Sequence, residues 1–159
     1  MNPSSANDMR AASMALEREL LATIPLASAM RLSIADYDGD SLTIAAPLAP
    51  NINDKGCAFG GSLVSVMTLA GWALVKLATH ARGLPCDIYV QDSAIHYLAP
   101  LWDDFVATAQ LGEGETFAAF FDALAQQRKG RLRVRCVVPL ADGSDAATLE
   151  ARFVALAKA

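Results

Sequence analysis

The chain has 159 residues, 53% of them hydrophobic and only 19% charged, which supplies one sizeable core and excludes disorder driven by excess charge. A formal net charge of −4 argues against a general nucleic-acid binder, which needs a strongly basic surface. The three cysteines (Cys57, Cys86, Cys136) and two histidines (His80, His96) form neither zinc-ligand spacing nor a disulfide framework, so no metal is expected and a reducing, cytoplasmic setting is. Residues 1–9 lack an apolar stretch behind a basic flank, so no signal peptide is expected. The length suits a single domain over 1–159, with its core at about 12–157.

Residues 12–22 place Met14, Leu16, Leu20 and Leu21 at roughly helical spacing, and Pro25 should stop that helix. Two alternating runs follow, Met30–Tyr37 and Ser41–Pro47, around Asp38-Gly39-Asp40, and together they predict a hairpin. A polar loop then leads into a long apolar helix from about Gly61 to Arg82, closed by Gly83 and Pro85. The uncharged stretch Gly56–Val75 approaches the ~20 residues of a membrane span. Its four glycines, with Ser62, Ser65 and Thr68, fit a helix buried in protein better, so no membrane contact is expected.

Beyond that helix, Asp87–Leu98 and Asp104–Leu111 predict strands. Thr116–Lys129 predicts a helix with Phe117, Phe120, Phe121, Leu124 and Ala125 on one face and Gly130 as its stop. Strands Arg131–Leu140 and Thr148–Ala157 close the chain across Asp142-Gly143-Ser144. Strands that mostly follow one another directly do not make a doubly wound parallel sheet. The expected class is α+β, one curved antiparallel sheet wrapping a buried helix.

The run Asn51-Ile-Asn53-Asp-Lys-Gly56-Cys-Ala-Phe59-Gly60-Gly61-Ser62-Leu63, leading to Gly71-Trp72, resembles the loop and central helix of hotdog-fold thioesterase-like proteins. Asp92-Ser93 followed by Tyr97-Leu-Ala-Pro100 resembles their long third strand. Within that superfamily the chain is most similar to the thioesterase-like family fused behind an acetyltransferase domain in bacterial YiiD-type proteins, over roughly residues 12–157. The resemblance implies a hotdog fold and a homodimer, with tetramers left open, whose active sites lie at the subunit interface. It also implies a thioester of CoA or acyl-carrier protein (ACP) as ligand, so that CoA or phosphopantetheine enters with the substrate and no separate cofactor is needed.

Chemistry can be assigned to these residues one by one. A helix start carries unpaired N–H groups and partial positive charge. Gly60 and Gly61 would let a thioester carbonyl approach those donors, unless they serve only tight packing. Asn53 falls where related hydrolases carry an asparagine that orients substrate or water, the alternative being a turn-forming Asn bonded to its own loop. Asn51, directly after Pro50, suits a local role better than Asn53 does, but it joins Phe59, Ser62, Thr68, Trp72 and Ser93 in the expected substrate-binding set. Asp92 is the fourth catalytic candidate, beside Asn53, Gly60 and Gly61; the alternative is a carboxylate on the wet face of a sheet.

Two departures from the hydrolase pattern bear on the reaction. Many hotdog thioesterases have His-Gly-Gly where this chain has Phe59-Gly60-Gly61, and many carry an Asp or Glu where this chain has Thr68. Hydrolysis needs a base or nucleophile, and threonine is a poor base. Loss of carbon dioxide from a malonyl thioester needs only oxyanion stabilisation and an apolar wall, and some members of the resembled family are malonyl-ACP decarboxylases that prime fatty-acid synthesis. The expectation leans to that reaction, with thioester hydrolysis as the alternative and a non-catalytic acyl-thioester sensor as a third. Arg131 and Arg133, in a basic cluster with Arg128, Lys129 and Arg135, would meet CoA phosphates or an acidic carrier protein, or else form a solvated face that blocks edge aggregation.

Overall fold

The computed structural model describes residues 3–158, with side chains from Ala6 onward. Its elements are helix α1 (Pro3–Thr23), the short helix α2 (Pro25–Ala29), strands β1 (Ser33–Tyr37) and β2 (Ser41–Ala46), and helix α3 (Gly60–Ala81). Strands β3 (Cys86–Tyr97) and β4 (Phe105–Leu111), helix α4 (Phe117–Gln127), and strands β5 (Lys129–Pro139) and β6 (Asp145–Ala157) complete it. The six strands form one antiparallel sheet in the order β1-β2-β4-β5-β6-β3. The α+β class expected from the strand order holds.

Alternation decides which face of the sheet meets the helix. Leu42, Ile44 and Ala46 pair across to Ala109, Ala107 and Phe105, and Leu132, Val134 and Cys136 pair to Phe153, Ala151 and Leu149. All twelve are buried, so they define one apolar face across four strands. Helix α3 lies on that face with Leu63, Val66, Met67, Ala70 and Leu74 buried against it. By length and composition α3 could cross a membrane, but 61% of its most apolar window is buried inside the protein.

Two glycines permit close packing at this layer. A Cβ on Gly71 would stand 2.7 Å from the Phe153 ring, which is fully buried. A Cβ on Gly130 would meet the Phe120 ring at the same distance. Gly130 therefore belongs to β5 and does not stop α4. That helix ends instead at Arg128, which takes the left-handed conformation at φ 55°.

Other boundaries shift for local reasons. Helix α1 begins nine residues before the expected Ala12, where the sequence is polar and offers no apolar stripe to read. Pro25, expected to end that helix, instead opens α2, since proline's missing N–H costs nothing in a first helical turn. Met30 caps α2 and so cannot begin the hairpin, which starts at Ser33. Strand β6 begins at Asp145, three residues before the expected Thr148.

Substituting Gly71 by Ala should lower stability by about 1–3 kcal/mol through overpacking against Phe153. In a Phe153→Leu background the same substitution should cost less, because the ring edge is gone and alanine is the better helix former. Urea unfolding of the four proteins in this double-mutant cycle measures both values; equal penalties in the two backgrounds would refute the contact.

Candidate functional site

The loop before α3 is held by its own polar groups. Asn53 accepts from the Lys55 amide through Oδ1 (2.8 Å) and donates through Nδ2 to the Cys57 sulfur (3.1 Å), while its backbone N–H donates to Cys57 O (2.8 Å). Both side-chain polar atoms of Asn53 are thus turned to its own turn. Asn51 is buried at 1% exposure, and its Nδ2 donates to Met30 O (3.0 Å) and Pro47 O (2.7 Å). Its carbonyl accepts from the Phe59 amide (2.7 Å), so Asn51 ties the strand layer to the residue that opens α3. Its Oδ1 is buried without a partner.

Phe59 occupies the N-cap position and has no side chain able to cap. Leu63 N–H is the first of the helix amides to bond back, to Phe59 O at 3.0 Å. Among the described residues, the amides of Gly60, Gly61 and Ser62 donate to no protein acceptor. Two rings border them. Phe59 folds over Gly61, where a Cβ would collide with its ring, and Tyr97 lies against Gly60, where a Cβ would stand 3.3 Å away. Both rings are about half exposed, at 53% and 54%. The Tyr97 hydroxyl donates to Gly60 O (2.9 Å), and the Ser65 hydroxyl donates to Gly61 O (2.7 Å).

This corner can bind a carbonyl oxygen and stabilise negative charge on it, because unpaired amides at a helix start act together with the helix dipole. Acid–base chemistry has less to draw on. The 22 residues of α3 include no Asp or Glu. Thr68 stands where a carboxylate would be expected, ~12 Å further along the helix axis than Gly60.

The register of β3 places Asp92. A β-bulge between Val90 and Asp92 shifts the alternation, so that Val90 opposes Phe153, Asp92 opposes Arg152 and Ser93 opposes Ala151. Phe153 and Ala151 face α3, which puts Ser93, Ile95 and Tyr97 on the helix side and Asp92 on the outer face. There Asp92 lies 3.7 Å from Arg152, well exposed. A carboxylate on the far side of the sheet cannot reach a carbonyl at Gly60 and Gly61 of its own chain.

The remaining candidates are dispersed. Trp72 donates from Nε1 to Ile88 O (3.2 Å) at the start of β3, with Lys76 over its ring at 5.6 Å. That is ~18 Å along the helix from Gly60. Arg131 and Arg133 also lie on the outer face. Arg131 bonds Gln91 (3.1 Å), and Arg133 bonds Glu115 (2.7 Å). One protomer therefore gathers Phe59, Gly60, Gly61 and Ser62, with the Asn51–Asn53 loop behind them. Thr68 and Trp72 lie farther down the same half-exposed stripe of α3. Ser93 faces that side from β3, whereas Asp92, Arg131 and Arg133 do not.

Tyr97 and Ser65 stand outside the site residues expected from sequence. The Tyr97 hydroxyl cannot be assigned from spacing, because Tyr97 reaches the helix only through the bulge at Gln91, whereas Ser65 makes the ordinary bond of a helical serine to the carbonyl four residues back. Cys136 donates to Met67 O (3.2 Å), and burial pushes its thiol up to about 12, so it is inert. Among the described residues no group of three or more His, Cys, Asp and Glu is placed to hold a metal. A concavity of about 530 Å3, lined by Met9, Tyr37, Leu77, Arg82, Phe117 and Phe121, lies toward the C-terminal end of α3, remote from the diglycine.

Comparison with known proteins agrees with this geometry. The model of the family described as "Putative thioesterase (yiiD_Cterm)" matches residues 13–157. A protein of unknown function from Chlorobaculum tepidum TLS superposes with a TM-score of 0.85 at 29% identity, covering 92% of this chain and 94% of that one. The "putative thioesterase" from Shewanella oneidensis gives 0.83 at 26% identity, covering 92% and 99%. A "probable thioesterase" from Pseudomonas aeruginosa gives 0.76 at 18% identity over 91% and 96%, a likeness of fold alone. With the family model spanning nearly the whole chain and a sheet wrapped on a central helix, the protein belongs to the YiiD-type thioesterase family and has the hotdog fold.

Proposed function

We propose that the chain binds an acyl thioester with its carbonyl oxygen on the amides of Gly60, Gly61 and Ser62, and decarboxylates malonyl-ACP to acetyl-ACP. The observation that carries the reading is the set of three unpartnered amides on a helix that has no acidic residue. In this reaction the bond between the malonyl α-carbon and its carboxylate breaks, and carbon dioxide leaves. The electron pair moves into an enolate whose charge rests on the thioester oxygen. A proton from water then completes the acetyl group. Each well-placed donor to the developing oxyanion is worth ~3 kcal/mol of barrier, and the exposed Phe59 ring supplies an apolar wall that solvates the departing carboxylate poorly. Hydrolysis is the second reading. It is favoured by the membership in a thioesterase family, and it needs a base that the helix does not supply.

The proposed site is shared between two copies. Strand β3 is a sheet edge of 12 residues with Tyr89, Val90 and Tyr97 exposed, the kind of edge that pairs with another chain. Trp72 is tied to the first half of β3 at Ile88, and Gly60 is tied to its end at Tyr97. Antiparallel pairing of two such strands brings the Trp72 of one protomer beside the diglycine of its partner, which accounts for site residues that stand apart in a single chain. On this reading the outer-face arginines serve the carrier: Arg131, bonded to the neutral Gln91, offers positive charge to an acidic carrier protein, and Arg133 adds to it by exchanging Glu115 for the carrier.

Incubation with malonyl-ACP, acetyl-CoA and a long-chain acyl-CoA, followed by mass spectrometry, should give carbon dioxide and acetyl-ACP from the first alone. Free thiol would establish hydrolysis instead, and tight binding without turnover would establish a sensor. Val90→Lys with Ala94→Lys should convert a sedimenting dimer of twice 16.8 kDa to monomer and abolish turnover; an active monomer would refute the shared site. Arg131→Glu with Arg133→Glu should raise KM for malonyl-ACP at least several-fold with kcat unchanged, an effect weakened by salt. An unchanged KM would leave those arginines as a solvated edge.

A further inference from the structure

The free amides at the start of α3 belong to peptide units whose carbonyls are also engaged. Gly61 N–H and Gly60 C=O are two ends of one peptide group, and that carbonyl accepts from the Tyr97 hydroxyl at 2.9 Å. Ser62 N–H and Gly61 C=O are the ends of the next peptide group, and that carbonyl accepts from the Ser65 hydroxyl at 2.7 Å. A hydrogen bond accepted by a carbonyl draws electron density through the planar amide and makes its N–H a stronger donor, by ~10–30% per bond in chains of such bonds. It also fixes the plane of the peptide, and therefore the direction in which the N–H points.

We infer that Tyr97 and Ser65 are positioning residues that polarise and aim the Gly61 and Ser62 amides. The inference rests on reading the diglycine turn as the thioester site. A serine that bonds four residues back is common in helices and has no functional meaning by itself. Tyr97 is different, because it comes from another element 37 residues away and reaches Gly60 only because a bulge re-phases β3. Its ring packs where a side chain at position 60 would be, so glycine, ring and hydroxyl form one arrangement. Strand β3 thereby sets the donor strength of a helix start on the neighbouring element.

The test compares the wild type, Tyr97→Phe, Ser65→Ala and the double variant in malonyl-ACP turnover. It adds infrared difference spectra of bound acetyl-CoA carrying a 13C carbonyl. Phenylalanine keeps the ring against Gly60 and removes only the hydroxyl. Each single variant should lose about 3- to 10-fold in kcat with KM within twofold, because the lost interaction grows as charge develops on the oxygen. The bound carbonyl stretch should move back toward the value for free acetyl-CoA. Replacement of tyrosine by the more acidic 3-fluorotyrosine should shift the stretch the opposite way, which mere packing would not do. Wild-type kcat and stretch in both single variants would overturn the inference while leaving the thioester reading standing. A wild-type protein that neither turns over malonyl-ACP nor shifts the acetyl-CoA band would overturn both.

Discussion

A buried helix that begins on a phenylalanine leaves its first amides unpaired, and the functional reading depends on that defect. Serine, threonine, asparagine or aspartate at the N-cap would satisfy one such donor and stabilise the helix by roughly 1 kcal/mol. Phe59 forgoes that and instead turns its ring onto Gly61. The helix tolerates the loss because its stability comes from elsewhere. Met67, Ala70, Leu74 and Val75 are fully buried against the sheet, and Gly71 lets the Phe153 ring fill the space beside it. Packing along the middle of α3 thus carries an under-satisfied end.

Asn51 keeps that end in place. Through its amide it binds Met30 and Pro47, and through its carbonyl it holds the Phe59 N–H. The backbone of the N-cap residue is therefore fixed to the strand layer, while the amides that follow it stay free. Asn53 is occupied in closing the turn that precedes Ala58, with its amide nitrogen on sulfur and its oxygen on the Lys55 amide. In the protomer the two asparagines act as scaffold. Asn53 uses one of the two N–H donors on Nδ2 for the Cys57 sulfur, a weak acceptor, and keeps the other.

Much of this was legible from residue order. Long apolar runs bounded by glycine and proline located α3 and the strands, since buried faces impose periodicity directly on sequence. The Phe59-Gly60-Gly61 turn could be read as a helix start from the apolar run that follows it, and as a site only through the family resemblance, since a glycine pair equally suits tight packing. Three features could not be read. Helix α1 extends to Pro3 through residues too polar to show a stripe. Gly130, read as a helix stop, is a strand residue shaped by Phe120, a contact that exists only in three dimensions. The bulge at Gln91 inverts which half of β3 faces the helix: strict alternation from Ile88 and Val90 would put Asp92 inward, and the extra residue puts Ser93 and Tyr97 there instead. One unpaired residue in a ladder thus turns Ser93 and Tyr97 toward the helix and Asp92 to the outer face.

That orientation bears on the chemistry. A carboxylate beside the free amides would favour water activation, but it would also repel a malonyl carboxylate brought to the same place; two like charges 4 Å apart at an effective dielectric of 20 oppose each other by ~4 kcal/mol. With Asp92 turned outward by the register of β3 and no acid on α3, one protomer gives this corner donors and aromatic rings. Such a surface favours charge moving onto an oxygen, and α3 of the same chain offers no carboxylate to generate hydroxide. In the proposed reaction a malonyl thioester meets both conditions: its leaving group is its own carboxylate, and its electron pair would end on a carbonyl placed at those amides. A simple acyl thioester would meet the same donors and find no carboxylate on α3 to recruit water.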